Sequence, residues 1–282
     1  MRVLSLDWDY FIDATASERF ALFPDGGNEN MPQGLQNIIW NGRYMSHGNP
    51  ELKQLKDIGI KQGELTALYR LLKHNVVGGF TDVVIADSHR HAYDAITEMA
   101  DTLMPSVIEL YNVDFHHDCY FSHEEDRPVD CGNWVYKLIK KYGDDLIVSW
   151  IRQPDSDPWK DGELWEMNLT DLSDRLFDLV VLCRSGMWSP PHLDQHFISL
   201  AKRLKRMAGR EQCTVIDRHV MQSRYTKDFA AAVTELERVK KEATQNITKR
   251  GSKTNLTAPP MAAATMMAEM VKMTKEGGET GC

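Results

Sequence analysis

Short runs rich in Val, Ile and Leu alternate along this chain with longer helix-patterned stretches, and that alternation leaves few folds open. The runs are residues 2–6 (RVLSL), 82–86 (DVVIA), 106–113 (SVIELYNV), 146–151 (LIVSWI), 179–183 (LVVLC) and 214–216 (TVI), each followed by polar or turn-forming residues. Residues 63–74, 91–103, 133–142, 193–207 and 226–244 carry the helical spacing. A strand that is apolar on both faces has to be covered on both faces. The pattern therefore predicts an α/β fold in which a mostly parallel sheet lies between two helical layers, a three-layer α-β-α arrangement.

Residues 1–245 read as a single α/β domain. Beyond residue 244 the composition turns to Thr, Lys, Gly, Ser, Ala and Met, with Pro259-Pro260 followed by a Met-rich stretch, 261–273. Residues 246–282 are thus expected to form a partly flexible C-terminal extension, in which the Met-rich stretch makes a single amphipathic helix packed on the body or on a neighbour. The early loop 24–49 is rich in Gly and Asn and too long for a bare connector, so it is expected to be functional or locally folded.

The chain has 282 residues, 33 Lys+Arg against 41 Asp+Glu, and a formal net charge of -8. It has no global basic field to recruit nucleic acid or an anionic membrane. Its apolar runs fall far below the roughly 20 residues of a membrane-spanning helix. Asp7 and Asp9 fall where a signal peptide would have its apolar core, so a non-secreted, cytoplasmic protein is expected. The five cysteines are scattered and form no CxxC, which argues against a disulfide framework or a zinc knuckle.

In open α/β sheets ligands bind outside the carboxyl ends of the strands, so the residues just after each apolar run are the ones to inspect. The first run ends in SLDWDYF, with Asp7 and Asp9 two apart. The second ends in IADSHRHAY, offering Asp87, His89 and His91. The third ends in NVDFHHDCYF, where Asp114, His116 and Asp118 recur at a period of two with His117 interleaved. Alone, a D-x-D is usually a turn cap and SHRHA a helix N-terminus. Burying two carboxylates and an imidazole without a cation is costly, and three such motifs on strand ends together point to metal. Mixed carboxylate and imidazole ligands suit Mn²⁺, with Zn²⁺ or Fe²⁺ as alternatives, and several carboxylates allow two ions to be bridged.

These residues resemble the arginase and ureohydrolase superfamily, which is related to the histone deacetylases. VDFHHD is similar to its D-A-H-x-D signature, SLDWD to its S-x-D-x-D signature, and DSHRHA to the segment that supplies the first ligand histidine. The alanine three residues on selects His89 there, with His91 as competitor. Within the superfamily the similarity looks closest to the branch that includes peptide arginases of ribosomally made natural products. The resemblance implies an arginase-like fold and two Mn²⁺, one held by His89 and Asp118, the other by His116 and Asp9, with Asp114 and Asp7 bridging. It implies hydrolysis of the guanidino group of arginine in a peptide to ornithine and urea.

The match has gaps. The D-x-D strand usually follows the D-x-H-x-D strand in the family, whereas here it comes first. The substrate-contacting segment resembles CGNWV, so Asn133 is a candidate substrate-binding residue, but Val135 stands where the family has its proton-shuttling histidine. His91 and His117 are the candidates for that role beside Asp118, with His123 a further option. Arg184 follows the late strand where a guanidinium-gripping glutamate is expected, which leaves Glu124, Glu125 or Asp126 for that task unless they are simply a solvated loop. Trp188, Pro190 and Pro191 form an apolar corner that either lines a peptide groove or caps the core. Rival readings keep the metal centre for a small guanidino or N-acyl amine substrate, or make the chain a non-catalytic binding protein; homo-oligomerisation stays open.

Overall fold

The computed structural model describes residues 1–24, 32–45, 54–124, 126–156, 164–173, 175–209 and 211–231, together with residues 234 and 238. The Met-rich stretch 261–273, Glu125 and Cys282 lie outside the described residues. All six apolar runs are strands. Numbered with three short ones, they are β1 (Arg2–Asp7), β2 (Ile12–Asp13), β3 (Gly59–Ile60), β4 (Asp82–Ala86), β5 (Ile108–Val113), β6 (Leu146–Ile151), β7 (Trp165–Glu166), β8 (Leu179–Cys183) and β9 (Cys213–Val215). The helices are α1 (Ala16–Leu22), α2 (Gln33–Met45), α3 (Gln62–Asn75), α4 (Arg90–Leu103), α5 (Trp134–Tyr142) and α6 (Asp194–Ala208). Residues 227–231 start a further helical segment, within the stretch 226–244 that carries helical spacing.

Seven strands form one sheet in the order β7-β6-β5-β1-β8-β4-β9, and every pairing in it is parallel. The small antiparallel pair β2-β3 stands apart. Both faces are covered, as the continuous apolar runs require. On one face Leu4 and Leu6 of β1 and Val180 and Leu182 of β8 pack with α3 (Leu68, Leu72) and α6 (Phe197, Leu204). On the other, Val3, Val181 and Leu110 pack with α4 (Ala92, Ile96) and α5 (Trp134, Leu138). The strict alternation along β1 shows both faces in use, and the result is the expected three-layer α-β-α fold.

Two segments near the long early loop differ from an irregular connector. Helix α2 lies within 24–49, and its Trp40 is fully buried and donates to the Gly186 carbonyl at 2.8 Å. Helix α1 is preceded by a capping box, in which Thr15 and Glu18 each accept the other's backbone N–H. Among the described residues no helix is long and apolar enough to cross a membrane.

The connections decide where a ligand can sit. The chain leaves β1 toward β4 on one side of the sheet, and leaves β5 toward β6 on the opposite side, while β1 and β5 are neighbours. Their carboxyl ends therefore flank a point where connections diverge, and a crevice opens there.

Candidate metal centre

Alternation aims the side chains of this crevice. Ser5 and Asp7 share a face of β1, Asn112 and Asp114 share the same face of β5 and its extension, and both sets point toward the layer of α4 and α5. His89 arrives at the N-terminus of α4, from the loop that follows β4. Asp9 sits in the single 3-10 turn after β1, and Asp7 caps that turn by accepting the Asp9 N–H at 3.0 Å. The turn-cap role of D-x-D is thus real, and it uses only Oδ1 of Asp7.

The other oxygen looks inward. His89 Nδ1 lies 3.3 Å from Asp7 Oδ2, 3.1 Å from Asp114 Oδ2 and 3.0 Å from Asp118 Oδ2. His116 Nδ1 lies 3.1 Å from Asp9 Oδ2 and 3.8 Å from Asp114 Oδ1. Two groups result, Asp7-His89-Asp114 and Asp9-Asp114-His116, each with ligand atoms within 4.8 Å of one another and with Asp114 shared. Either could hold a metal ion. Adjacent donors about 2.1 Å from one octahedral ion stand about 3 Å apart, which is the spacing around His89. Asp7, Asp9, Asp114, Asp118 and His89 are almost wholly buried, and His116 is partly exposed.

Second partners orient these groups. Ser5 Oγ lies 2.7 Å from His89 Nε2, an arrangement that leaves Nδ1 to face the carboxylates. Ser185, just beyond β8, donates to Asp7 Oδ2 at 2.5 Å, and Asn112 Nδ2 donates to Asp114 Oδ2 at 3.4 Å. Asp9 accepts from the buried Arg19 guanidinium at 3.5 Å, and Arg19 also donates to the Asp9 carbonyl at 2.6 Å while lying over the Phe115 ring. Ser5 was within reach of sequence reasoning, since it lies two residues before Asp7 on one strand. Arg19, on another element, offered no such signal.

The titration of the metal-free cluster reflects this crowding. Burial, then the charges of Asp9 and Asp114, pushes Asp7 up to about 6. Burial and the Asp118 charge push Asp114 up to about 7. Burial opposes the charged form of His116, but Asp9 prevails and raises it to about 9. His89 is likewise raised against its burial by hydrogen bonds to Asp114, Asp118 and Asp7. Asp9 is held low, against its burial, by His116 and Arg19. Without a cation the cluster keeps protons that carboxylates and imidazoles ordinarily shed at neutral pH.

The groups open into a cavity of about 40 Å³ lined by Asp7, His89, His116, Asp118, Tyr120, Cys131, Gly132 and Trp188. That is room for a few water-sized species. Trp188 packs on the core, the second of the roles considered for it, and also lines the cavity, with its ring 4.8 Å from that of His116.

The remaining sequence candidates fall elsewhere. His91 lies on α4 facing Asp94 at 3.6 Å. His117 is buried against Tyr120 and Trp150, its Nδ1 accepting the Cys119 N–H at 2.9 Å. Asn133 braces its loop, accepting from the Asp130 N–H and donating to the Pro128 carbonyl. Glu124 is paired with Arg127 at 3.1 Å, and His123 and Asp126 are exposed. Arg184 is fully buried and donates to Asp87 at 2.7 Å, so the acid beside it comes from the end of β4. In comparisons with known proteins, no protein-family model, no curated protein and no solved structure matches the chain.

Proposed function

We propose that this protein is a binuclear manganese hydrolase that cleaves the guanidino group of arginine side chains in a peptide, giving ornithine and urea. The observation that carries the reading is the pair of buried histidine-carboxylate groups sharing Asp114 at the crevice between β1 and β5. Charge supports two ions. With neutral imidazoles, Asp7, Asp9, Asp114 and Asp118 against Arg19 leave three net negative charges in a buried cluster. One divalent ion leaves one negative charge buried without a partner, whereas two leave a single positive charge that one anionic ligand from solvent neutralises. Hard oxygen donors with one imidazole each, at octahedral spacing, favour Mn²⁺ over Zn²⁺.

Asp9 and His116 would hold one ion, His89 and Asp118 the other, with Asp114 between them and Asp7 beside His89. Divalent ions held by these residues would supply Lewis acidity that brings the pKa of water toward neutrality, the chemistry that attack on a guanidinium carbon needs. The chain's own groups do the rest. Asp118, in the cavity wall, is placed to take the proton of the attacking water and pass it to the leaving amine. Trp188 and Tyr120 present aromatic surface at the same wall, which suits a flat delocalised cation.

Peptide rather than free arginine is favoured by the lining. Among the described residues around the cavity there is no lysine or arginine to pair the α-carboxylate of a free amino acid. The test is urea release from arginine-containing peptides, free arginine and small guanidino compounds, each with Mn²⁺-loaded protein. Release from peptides alone supports the reading; release from free arginine alone overturns the substrate, and release from none overturns the reaction.

A further inference from the structure

Trp134 is fully buried at the first position of α5 and touches both His89 and Asp118, the carboxylate 3.0 Å from the His89 imidazole. Its indole Nε1–H donates to Asp118 Oδ2 at 2.5 Å, and its ring lies against the His89 imidazole with centroids 4.8 Å apart. The same helical turn grips Asp118 a second way. The N–H groups of Val135 and Tyr136 donate to the Asp118 carbonyl at 3.1 and 3.4 Å, with Asp118 in the left-handed region at φ 51°. A buried indole needs one acceptor, and a main-chain carbonyl would satisfy it, as the Gly186 carbonyl does for Trp40. Here the acceptor is instead a carboxylate oxygen in the cavity wall, a charge-assisted bond.

We propose that Trp134 is a positioning residue that fixes Asp118 and His89 as a ligand pair for one of the two ions. The inference rests on the metal-centre reading above. The indole holds Asp118 Oδ2 at 3.0 Å from His89 Nδ1, the separation of neighbouring donors on a single octahedral ion, while its ring stops the imidazole from turning away. The His116 group is braced differently, its carboxylate Asp9 being held by Arg19. The two ions should therefore respond differently when the indole N–H is lost.

The test is calorimetric titration of the full-length protein and of Trp134→Phe with Mn²⁺, the phenyl ring keeping most of the packing. The wild type should bind two ions. Trp134→Phe should lose about 10- to 100-fold in affinity for one of them, the same one that Asp118→Asn weakens, and keep the other. A second measurement avoids any change at Trp134. In ¹H–¹⁵N spectra of the metal-free protein one indole N–H resonance should lie far downfield and move upfield in Asp118→Asn. Unchanged binding of both ions by folded Trp134→Phe overturns the proposal. So does the absence of any indole shift in Asp118→Asn, should Trp134→Phe fail to fold. A wild type that binds no divalent ion sinks the metal-centre reading itself, and the role of Trp134 falls with it.

Discussion

Ion binding by this centre has to expel protons, and the number can be worked out from the cluster. Metal needs neutral imidazoles and ionised carboxylates. In the metal-free protein His116 titrates near 9 and so carries a proton from pH 6 to 8, and hydrogen bonds to Asp114, Asp118 and Asp7 shift His89 in the same direction. Asp114, near 7, adds a proton in the lower half of that range, and Asp7, near 6, adds a fraction of another at its acid end. Filling both sites should thus release at least about one proton at pH 8, from His116, and more than two near pH 6, with any proton on His89 in addition. Each proton released makes binding tenfold tighter per pH unit, or about 1.4 kcal/mol. The product of the two Mn²⁺ affinities should rise at least about tenfold between pH 7 and 8, and more steeply below pH 7. Calorimetry in buffers of different ionisation enthalpy counts the protons directly. Release of less than one proton at pH 7, with pH-independent affinity, would show that metal does not displace the His116 proton and would refute the reasoning.

Further predictions follow the same geometry. Asp114→Ala should abolish binding of both ions and all hydrolysis, whereas His116→Ala should spare the ion at His89; metal analysis of the purified variants distinguishes the two. Metal-free protein should lose stability as pH rises, because the raised pKa of His116 contributes stability that is complete below about 6.5 and is lost as pH passes through about 9, on the order of 3 kcal/mol. Thermal melts with a chelator from pH 6 to 9 should show that decline, and added Mn²⁺ should reverse it. Arg224 and Asp194 form a fully buried bidentate pair far from the ligand set in sequence, so Arg224→Ala should cost roughly 3–5 kcal/mol in urea unfolding.

The central strands were legible because they are buried on both faces, so their sequences run apolar, as LVVLC in β8 does. A period of two keeps Asp7 and Asp114, with Ser5 and Asn112, on one side of the sheet, whereas Asp9 in its 3-10 turn and Asp118 in the left-handed region reach the site through turns beyond the strands. What the sequence could not carry was contact between elements. Nothing local ties Arg19 to Asp9, Ser185 to Asp7 or Trp134 to Asp118; each link depends on which elements become neighbours. The insertion of β8 between β1 and β4 is the clearest case, since it brings Ser185 to Asp7 and pairs Arg184 with Asp87. The choice between His89 and His91 turned on helix phase. His89 stands just before α4 with its ring against Ser5 of β1, and His91, two positions on, faces Asp94. β7 was missed because two exposed residues give no period to read.

The most direct test of the account is the mass of an arginine-containing peptide after incubation with Mn²⁺-loaded protein, run beside Asp114→Ala. The account predicts loss of the elements of cyanamide from the arginine side chain, the change from guanidine to amine, with urea in equal amount and no change with the variant. An unaltered peptide from protein shown to hold two ions would contradict it.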